Sequence, residues 1–424
     1  MKKYFKLVVL MLILVSFILA ISPAQQQITL RIIWWGSQDR HNRTLKVIDL
    51  FQKKYPNIKI VSEYTGWSEY YTKLTTMAAG GNLPDIMQQD HAYIRGWVEK
   101  GLLLPLDDLV AQGVINLKDV SKSIVDSGRL GGKLYAINLG NNSQAFAIDP
   151  ELFRKAGVPL PPTLWTWDDF KRIARIIHRK LGIYGAAENL GDHNVFRVWT
   201  IENGGYLFSE DGKSLGYEDD NVYASFYKML LELQDEGVIP SRDVEVARGS
   251  VSPEQRFLCL GKAAMQFTWS NQLTAMSTAL KGKPLKLYML PTLNGKVGNF
   301  LKPSMFFAIN AKTKYPKEAA MFINFFINDI EAAKILMAER GVPVSKRVQL
   351  ALKPLLTPVE KEMFNFIATV EKYGAPTPPP DPERWQEIYN NVYTPLYDQI
   401  MYKKITPEEA AKKFREQVTQ ILRK

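Results

Sequence analysis

Cysteine and histidine are scarce in this chain. Among 424 residues there is one cysteine, Cys259, and there are four histidines. A disulfide framework, a CxxC metal site and paired thiol redox chemistry are thereby excluded. No HExxH helix, GxxxxGK(S/T) phosphate loop or GxGxxG dinucleotide fingerprint occurs, which removes the commonest sequence signals of zinc proteases and nucleotide enzymes. The net charge of +11 is spread among acidic residues, with no arginine-rich arm and no RNA-binding signature, so no nucleic acid is expected as partner. Paired carboxylates for glycoside hydrolysis are not excluded by counting, because a chain of this size holds many combinations.

What is present begins with an export signal. Lys2, Lys3 and Lys6 precede an apolar run from Leu7 to Ile21, followed by Ser22, Pro23 and Ala24. The run is short for a membrane span, and small residues at a peptidase site mark a secretory leader. Cleavage is expected after Ala24, with residues 1–24 as signal peptide and Gln25 as the first mature residue. No cysteine follows the run, so a periplasmic location without lipid attachment is expected. Removing the three leader lysines leaves a net charge of about +8. At 46% apolar and 23% charged residues the composition is globular, and the length favours two lobes.

Along the chain, strand and helix patterns alternate. Ile28 to Trp35 reads as a strand and Arg40 to Lys54 as a helix with Leu45, Ile48 and Phe51 on one face. A strand at Ile58 to Tyr64, a helix at Ser68 to Ala79, a strand at Asp85 to Gln89 and a helix at His91 to Glu99 follow. This order predicts an α/β architecture with a parallel sheet, whose ligand crevice lies at the carboxyl ends of the strands. Leu134 to Asn138 reads as a strand, the Gly-Asn stretch after it as a first crossing between lobes, and Asp149 to Ala156 as a short helix. Thr166 and Asp169 form a capping-box pattern, so Trp167 opens a long helix with His178 near its end. Asp211-Gly212 marks a hairpin turn rather than a calcium loop. "SMFFAINA" reads as a strand returning to the first lobe. Helices are expected from Pro316 to Arg340 and in the tail beyond Pro343, interrupted by the stiff loop "PTPPPDPERW".

The first three strand ends carry Trp35-Gly36-Ser37, Tyr64-Thr65-Gly66-Trp67 and Asp90-His91. Aromatic plates beside polar groups match a sugar, whose C–H faces pack on rings while its hydroxyls need hydrogen-bond partners. Trp34 and Trp35 point to opposite faces of their strand. One is expected to pack in the sheet and the other, Trp35, to face the cleft. Trp165 and Trp167 read as staples at a helix start, Asn203-Gly204-Gly205 as either a helix stop or a contact, and Arg40 as either a contact or a partner for a carboxylate. His41 and His91, beside Asp39 and Asp90, read as loop or helix-start groups ahead of a metal pair, and no cofactor is expected.

Eight segments in order carry a family resemblance: "LRIIWWG", "VIDLFQKKYPNIKI", "MAAGGNLPDIMQQD", "GLLLPLDDL", "FAIDPELFRKAGVPLPPTLWTWDDF", "NGGYLFSEDGK", "FLCLGKAAMQF", and "KEAAMFINFFI" with "GVPVS". Together they span almost the whole mature chain. They resemble the extracellular solute-binding proteins of ATP-driven sugar importers, solute-binding family 1, the broad family that includes maltose-binding protein. "GKLYAINLG" departs from the family, which commonly has a proline after the alanine, and this bears on the hinge.

The resemblance implies a two-lobe periplasmic binding protein of type II, maltose-binding-protein-like, with the ligand cleft between the lobes and a helical C-terminal region. Lobe 1 is expected to comprise 25–138 plus 302–343, and lobe 2 139–301 plus 344–424. By position, the resemblance implies ligand contacts at Trp35, Ser37, Trp67, Asp90, Asn141, Asn203, Gly204, Trp269 and Trp385, with Arg40, His91 and Lys302 as further polar contacts. It implies a monomeric, non-enzymatic carrier that hands an oligosaccharide to an ABC permease. An exported polysaccharide lyase or glycosidase, and a binder of metal, polyamine or phosphate ester, are the alternatives; turnover separates the first of these from a carrier.

Overall fold

The structure, a computed structural model, describes residues 27–249 and 251–423; the expected leader lies outside them. The elements that position the cleft are, in chain order, β1 (Ile28–Trp35), α1 (Gln38–Lys54), β2 (Ile58–Thr65), α2 (Trp67–Ala79), β3 (Ile86–Gln89), α3 (Ile94–Glu99), β4 (Ala136–Asn138), β5 (Asn141–Asn142), β6 (Gln144–Ile148), α4 (Trp167–Leu181), β7 (Tyr184–Ala186), α5 (His193–Glu202), β8 (Ala263–Trp269), β9 (Lys286–Tyr288), β10 (Lys302–Pro303) and β11 (Phe306–Ile309). Two sheets result, one per lobe: β2-β1-β3-β11-β4 and β9-β6-β8-β7. Between them β5 and β10 pair antiparallel as the crossing, Lys302 opposite Asn142.

The first sheet is mixed where a parallel sheet was expected. β1, β2 and β3 are parallel, whereas β11 runs antiparallel to both β3 and β4. The reason is topological: a strand returning from the second lobe enters its sheet from the cleft side, so Phe306 begins opposite Gln89, where β3 ends.

β1 is flanked by strands on both edges and by side chains on both faces. Trp34 is fully buried, and its Nε1 donates to His41 Nδ1 at 3.1 Å. Trp35 is 6% exposed and meets Tyr70 and Trp67 edge-on, with ring centroids 4.9 and 5.0 Å away. The two tryptophans thus occupy opposite layers, as strand alternation requires, but both are packed. The expectation that Trp35 lines the cleft is corrected: it lies beneath the rings that do.

The capping box of Thr166 and Asp169 opens α4. Trp165 and Trp167 are core residues, donating to Met289 O and Glu202 Oε2, each at 2.8 Å. Asp211 Oδ1 accepts from Ser209 Oγ and Lys213 N in a turn where Gly212 takes φ 71°. The C-terminal region divides between the lobes. Helix Lys346–Leu352 packs on Ile330–Leu336 beside the first sheet, whereas Pro358–Tyr373 packs on β9 and on Leu273–Ala279 of the second. Residues 346–352 therefore sit with the first lobe, although the expected division at 343 assigned them to the second.

At the crossing the backbones come too close for side chains. A Cβ on Gly140 would lie 2.1 Å from Arg340 O, while Gly140 O accepts from Ser304 N at 2.8 Å. Since the opposing atom is backbone, the strand must shift to admit a methyl group. Gly140→Ala is expected to cost about 3 kcal/mol of stability, measured by denaturant unfolding; an unchanged midpoint would show that the crossing is looser than this geometry.

Candidate ligand-binding cleft

The cleft is built where the strand ends of the first lobe meet the loops of the second. α2 begins at Trp67, and its first two turns project Trp67, Tyr70 and Tyr71 toward β1 and β3. Buried Trp35 props this layer from below. Tyr71 packs on Tyr93 at 4.2 Å, and Trp67 on Tyr71 and Tyr93 at 5.7 and 6.0 Å. Trp67 and Tyr93 remain 47% and 44% exposed, an unusual exposure for rings so well supported.

These rings form one wall of a cavity of about 800 Å³. Asp90, Lys100 and Lys302 line it from the first lobe and the crossing, and Asp381, Trp385 and Gln386 from the second. A second cavity of about 960 Å³ lies on the other side of Arg95 and is lined by His91, Tyr135, Tyr206 and the run Thr377 to Pro380. Arg95 borders both. Its Nη2 donates to Glu210 O at 2.6 Å and to Pro380 O at 3.4 Å, so this α3 side chain reaches across to the opposite lobe. Lys100 and Glu383 make a second interlobe contact at 3.3 Å.

Charge in the cleft is held by specific pairs. Arg197 of α5 donates to Asp381 Oδ1 at 2.7 Å, and its guanidinium lies 6.0 Å from the Trp385 ring. Burial alone would raise the Asp381 pKa, but the Arg197 charge and hydrogen bond outweigh it and hold the carboxyl below its usual range. Lys302 Nζ sits 5.2 Å over the Trp269 ring. His91 is 8% exposed, and burial drives its pKa down to about 3, with Lys302, Arg197 and Arg95 adding to the effect against Asp381. His193, packed 5.0 Å from Trp385, is also lowered by burial. Both imidazoles are neutral at physiological pH, hydrogen-bonding groups rather than cations. No group of three His, Cys, Asp or Glu side chains among the described residues is placed to hold a metal ion.

Of the twelve residues singled out from sequence, Trp67, Asp90, Lys302 and Trp385 line the first cavity, and His91 lines the second. Trp269 joins them through Lys302. The other six are placed differently. Trp35 is the supporting layer. Ser37 caps α1, its side chain accepting from Arg40 N. Arg40 is paired with Glu339 at 2.6 Å and donates to Trp35 O, so it serves the first lobe's own packing. Asn141 is wholly buried at the crossing, where Asn138 Nδ2 donates to its Oδ1. Asn203 and Gly204 end α5: Asn203 Nδ2 donates to Trp199 O, and Gly204 adopts φ 89°.

Tyr71, Tyr93, Arg95, Asp381 and Gln386 also line the first cavity, and Arg197 holds Asp381; none of the six was among the residues singled out from sequence. The signal for Tyr71 was available, since Trp67 and Tyr71 are four apart and share a helix face. Asp381 lies in the proline-rich segment, which reads as a spacer.

The family model for bacterial extracellular solute-binding proteins matches residues 39–333. The chain belongs to this family. It is a family 1 solute-binding protein of ABC transporters, and the family's members are binding proteins. A solved family 1 solute-binding protein from Alicyclobacillus acidocaldarius is similar at 31% identity and TM-score 0.82, covering 94% of this chain and 99% of that one. A periplasmic oligogalacturonide-binding protein from Yersinia enterocolitica is similar at 25% identity and TM-score 0.79, over 93% and 99%. An arabinooligosaccharide-binding protein from Bacillus subtilis is 25% identical over 216 residues, 49% of this chain and 48% of that protein.

The neutral, buried His91 gives this solute-binding protein a pH signature. Its folded-state pKa of about 3 lies below the ordinary 6.5, so between those values the unfolded chain binds a proton that the folded chain refuses. Stability from this group is present above pH 6.5 and is lost as pH falls toward 3, by up to about 1.4 kcal/mol per pH unit. His91→Gln is expected to flatten that part of the acid limb in pH-dependent unfolding. An identical slope in the variant would contradict the assignment.

Proposed function

We propose that this protein binds an oligosaccharide in the cleft between its lobes and presents it, closed, to an ABC permease. The observation that carries the reading is the pair of partly exposed, well-supported aromatic surfaces, Trp67 with Tyr93 and Trp385, on opposite lobes of one cavity that also holds Asp90, Lys302 and Gln386. A pyranose or furanose ring stacks its C–H face on such plates, and carboxylate, ammonium and amide groups at the margin bind its hydroxyls. Two cavities of this size, meeting at Arg95, suit a chain of several rings. Relatives that bind arabinooligosaccharide and oligogalacturonide support the same substrate class.

Closure follows from the same groups. A ligand that touches Trp67 on one lobe and Trp385 on the other makes its full set of contacts only when the lobes approach, so it shifts the population by that difference in affinity. The permease reads the resulting surface. Export to the periplasm, the cleaved leader after Ala24 and a monomeric state complete the proposal.

Calorimetric titration with neutral and acidic oligosaccharides, with the sugars checked afterwards for integrity, tests it. One class is expected to bind, to remain intact, and to raise thermal stability by about 2.7 kcal/mol at a hundred times its dissociation constant. Trp67→Ala and Trp385→Ala are each expected to weaken binding about tenfold, or about 1.4 kcal/mol. Cleavage of the sugar, or binding of no sugar at all, would overturn the reading.

A further inference from the structure

A groove of about 690 Å³ lies between helix Lys346–Leu352 of the first lobe and helix Pro358–Tyr373 on the second. None of its lining residues lines either cleft cavity, so it is free to act while the cleft is occupied. Its floor is apolar, with Leu356, Phe364 and Ala368, and its rim carries Lys346, Lys353, Lys361 and Lys372, all exposed. The one carboxylate in the lining is Glu371, 3.4 Å from Lys346. Among the described residues, Lys353, Lys361 and Lys372 have no carboxylate within ion-pair distance, and Lys372 Nζ stands 4.7 Å over the exposed ring of Tyr373. Beside these charges Leu350 is 70% and Leu355 52% exposed.

A single exposed leucine needs no explanation, and a lone surface lysine is ordinary. Protruding leucines beside four exposed lysines, three of them without a carboxylate partner, and a tyrosine are a different pattern, that of a surface that lies on a lipid interface. We propose that this face, Leu350 in the groove wall and Leu355 two residues from Lys353, together with Lys346, Lys353, Lys361 and Lys372, docks on an anionic bilayer. The partner's chemistry follows from the cations: lysine ammoniums are mobile point charges without the fork geometry that selects one carboxylate. They therefore suit a sheet of anionic headgroups, each lysine drawn by the surface potential. The leucines enter the acyl boundary, and the two walls, one from each lobe, lay the carrier along the membrane in which its permease resides.

The test is co-sedimentation of the chain beginning at Gln25, which holds every described residue, with vesicles of phosphatidylglycerol in phosphatidylcholine and of phosphatidylcholine alone. Partition into the anionic vesicles only is expected, falling as salt rises. Lys353→Glu with Lys361→Glu is expected to reduce it at least about tenfold. Leu350→Ser is expected to reduce it several-fold while keeping the salt dependence. These positions are exposed, and an unchanged melting temperature checks that the fold is intact. Failure of the parent chain to partition, or equal partition of the double variant, overturns the proposal. Binding of short-chain phosphatidylglycerol monomers without bilayer partition overturns it in favour of a single-lipid groove. Binding of an acidic protein with indifference to vesicles overturns it in favour of a protein partner. Oligosaccharide affinity is independent of every one of these outcomes.

Discussion

The backbone exchange between Asn141 and Val342, 2.8 Å in one direction and 3.0 Å in the other, fixes where the two lobes join. Around it, Asn138 donates to Asn141, Ser143 Oγ to Phe300 O, and Asn299 Nδ2 to Gln144 O. These groups are buried, and in that environment an unmade hydrogen bond is more costly than a made one is favourable. The crossing is therefore a defined joint rather than a slack linker. Glu339 extends its hold: it pairs with Arg40 of α1 and with Arg340, while Arg340 Nη2 donates to Thr44 Oγ1. Burial drives the Arg340 pKa down to about 9, and the carboxylate beside it keeps the guanidinium in place. One carboxylate thus ties the first helix of the first lobe to the segment against which Gly140 packs.

From that joint, the cleft follows in layers. Trp35 pairs with Thr65 of β2, its carbonyl accepts from Gln88 Nε2 of β3, and its ring is buried, so Trp67 and Tyr71 rest on a packed floor. Preorganised rings lose little conformational entropy when a ligand arrives. On the opposite lobe, Trp385 is fixed by Phe208, His193 and Tyr389. Charged groups are placed so that most neutralise one another, with Arg197 on Asp381 and Lys100 near Glu383. His91, buried, and His193, half-buried, add nitrogen donors and acceptors without net charge.

Much of this was legible in the residues, and the limits have physical causes. Alternating strand and helix patterns located β1 to α3 within a few positions, because each burial period is local. Thr166-Asp169 and Asp211-Gly212 were legible for the same reason: a cap and a turn close within four residues. Strand direction was not, since β11 enters its sheet after an excursion through the other lobe. Period two placed Trp34 and Trp35 on opposite faces, yet it carries no information about what covers each face, and α2 covers Trp35. Asn141 falls in the Gly-Asn stretch read as the crossing and, by resemblance, at the ligand; pairing across that crossing buries it. Arg95 and Asp381 are brought together with the aromatic wall only by tertiary packing. Their spacing of nearly three hundred positions leaves no local trace.

The central claim is that ligand is taken between the lobes and against the aromatic layers, and hydrogen–deuterium exchange with and without a bound oligosaccharide tests it most directly. The account predicts slowed exchange in 67–79, 90–99, 302–303 and 381–389, on both lobes and at the crossing, with little change in the outer helix 407–422. Protection confined to one lobe, or centred away from Trp67 and Trp385, would contradict it.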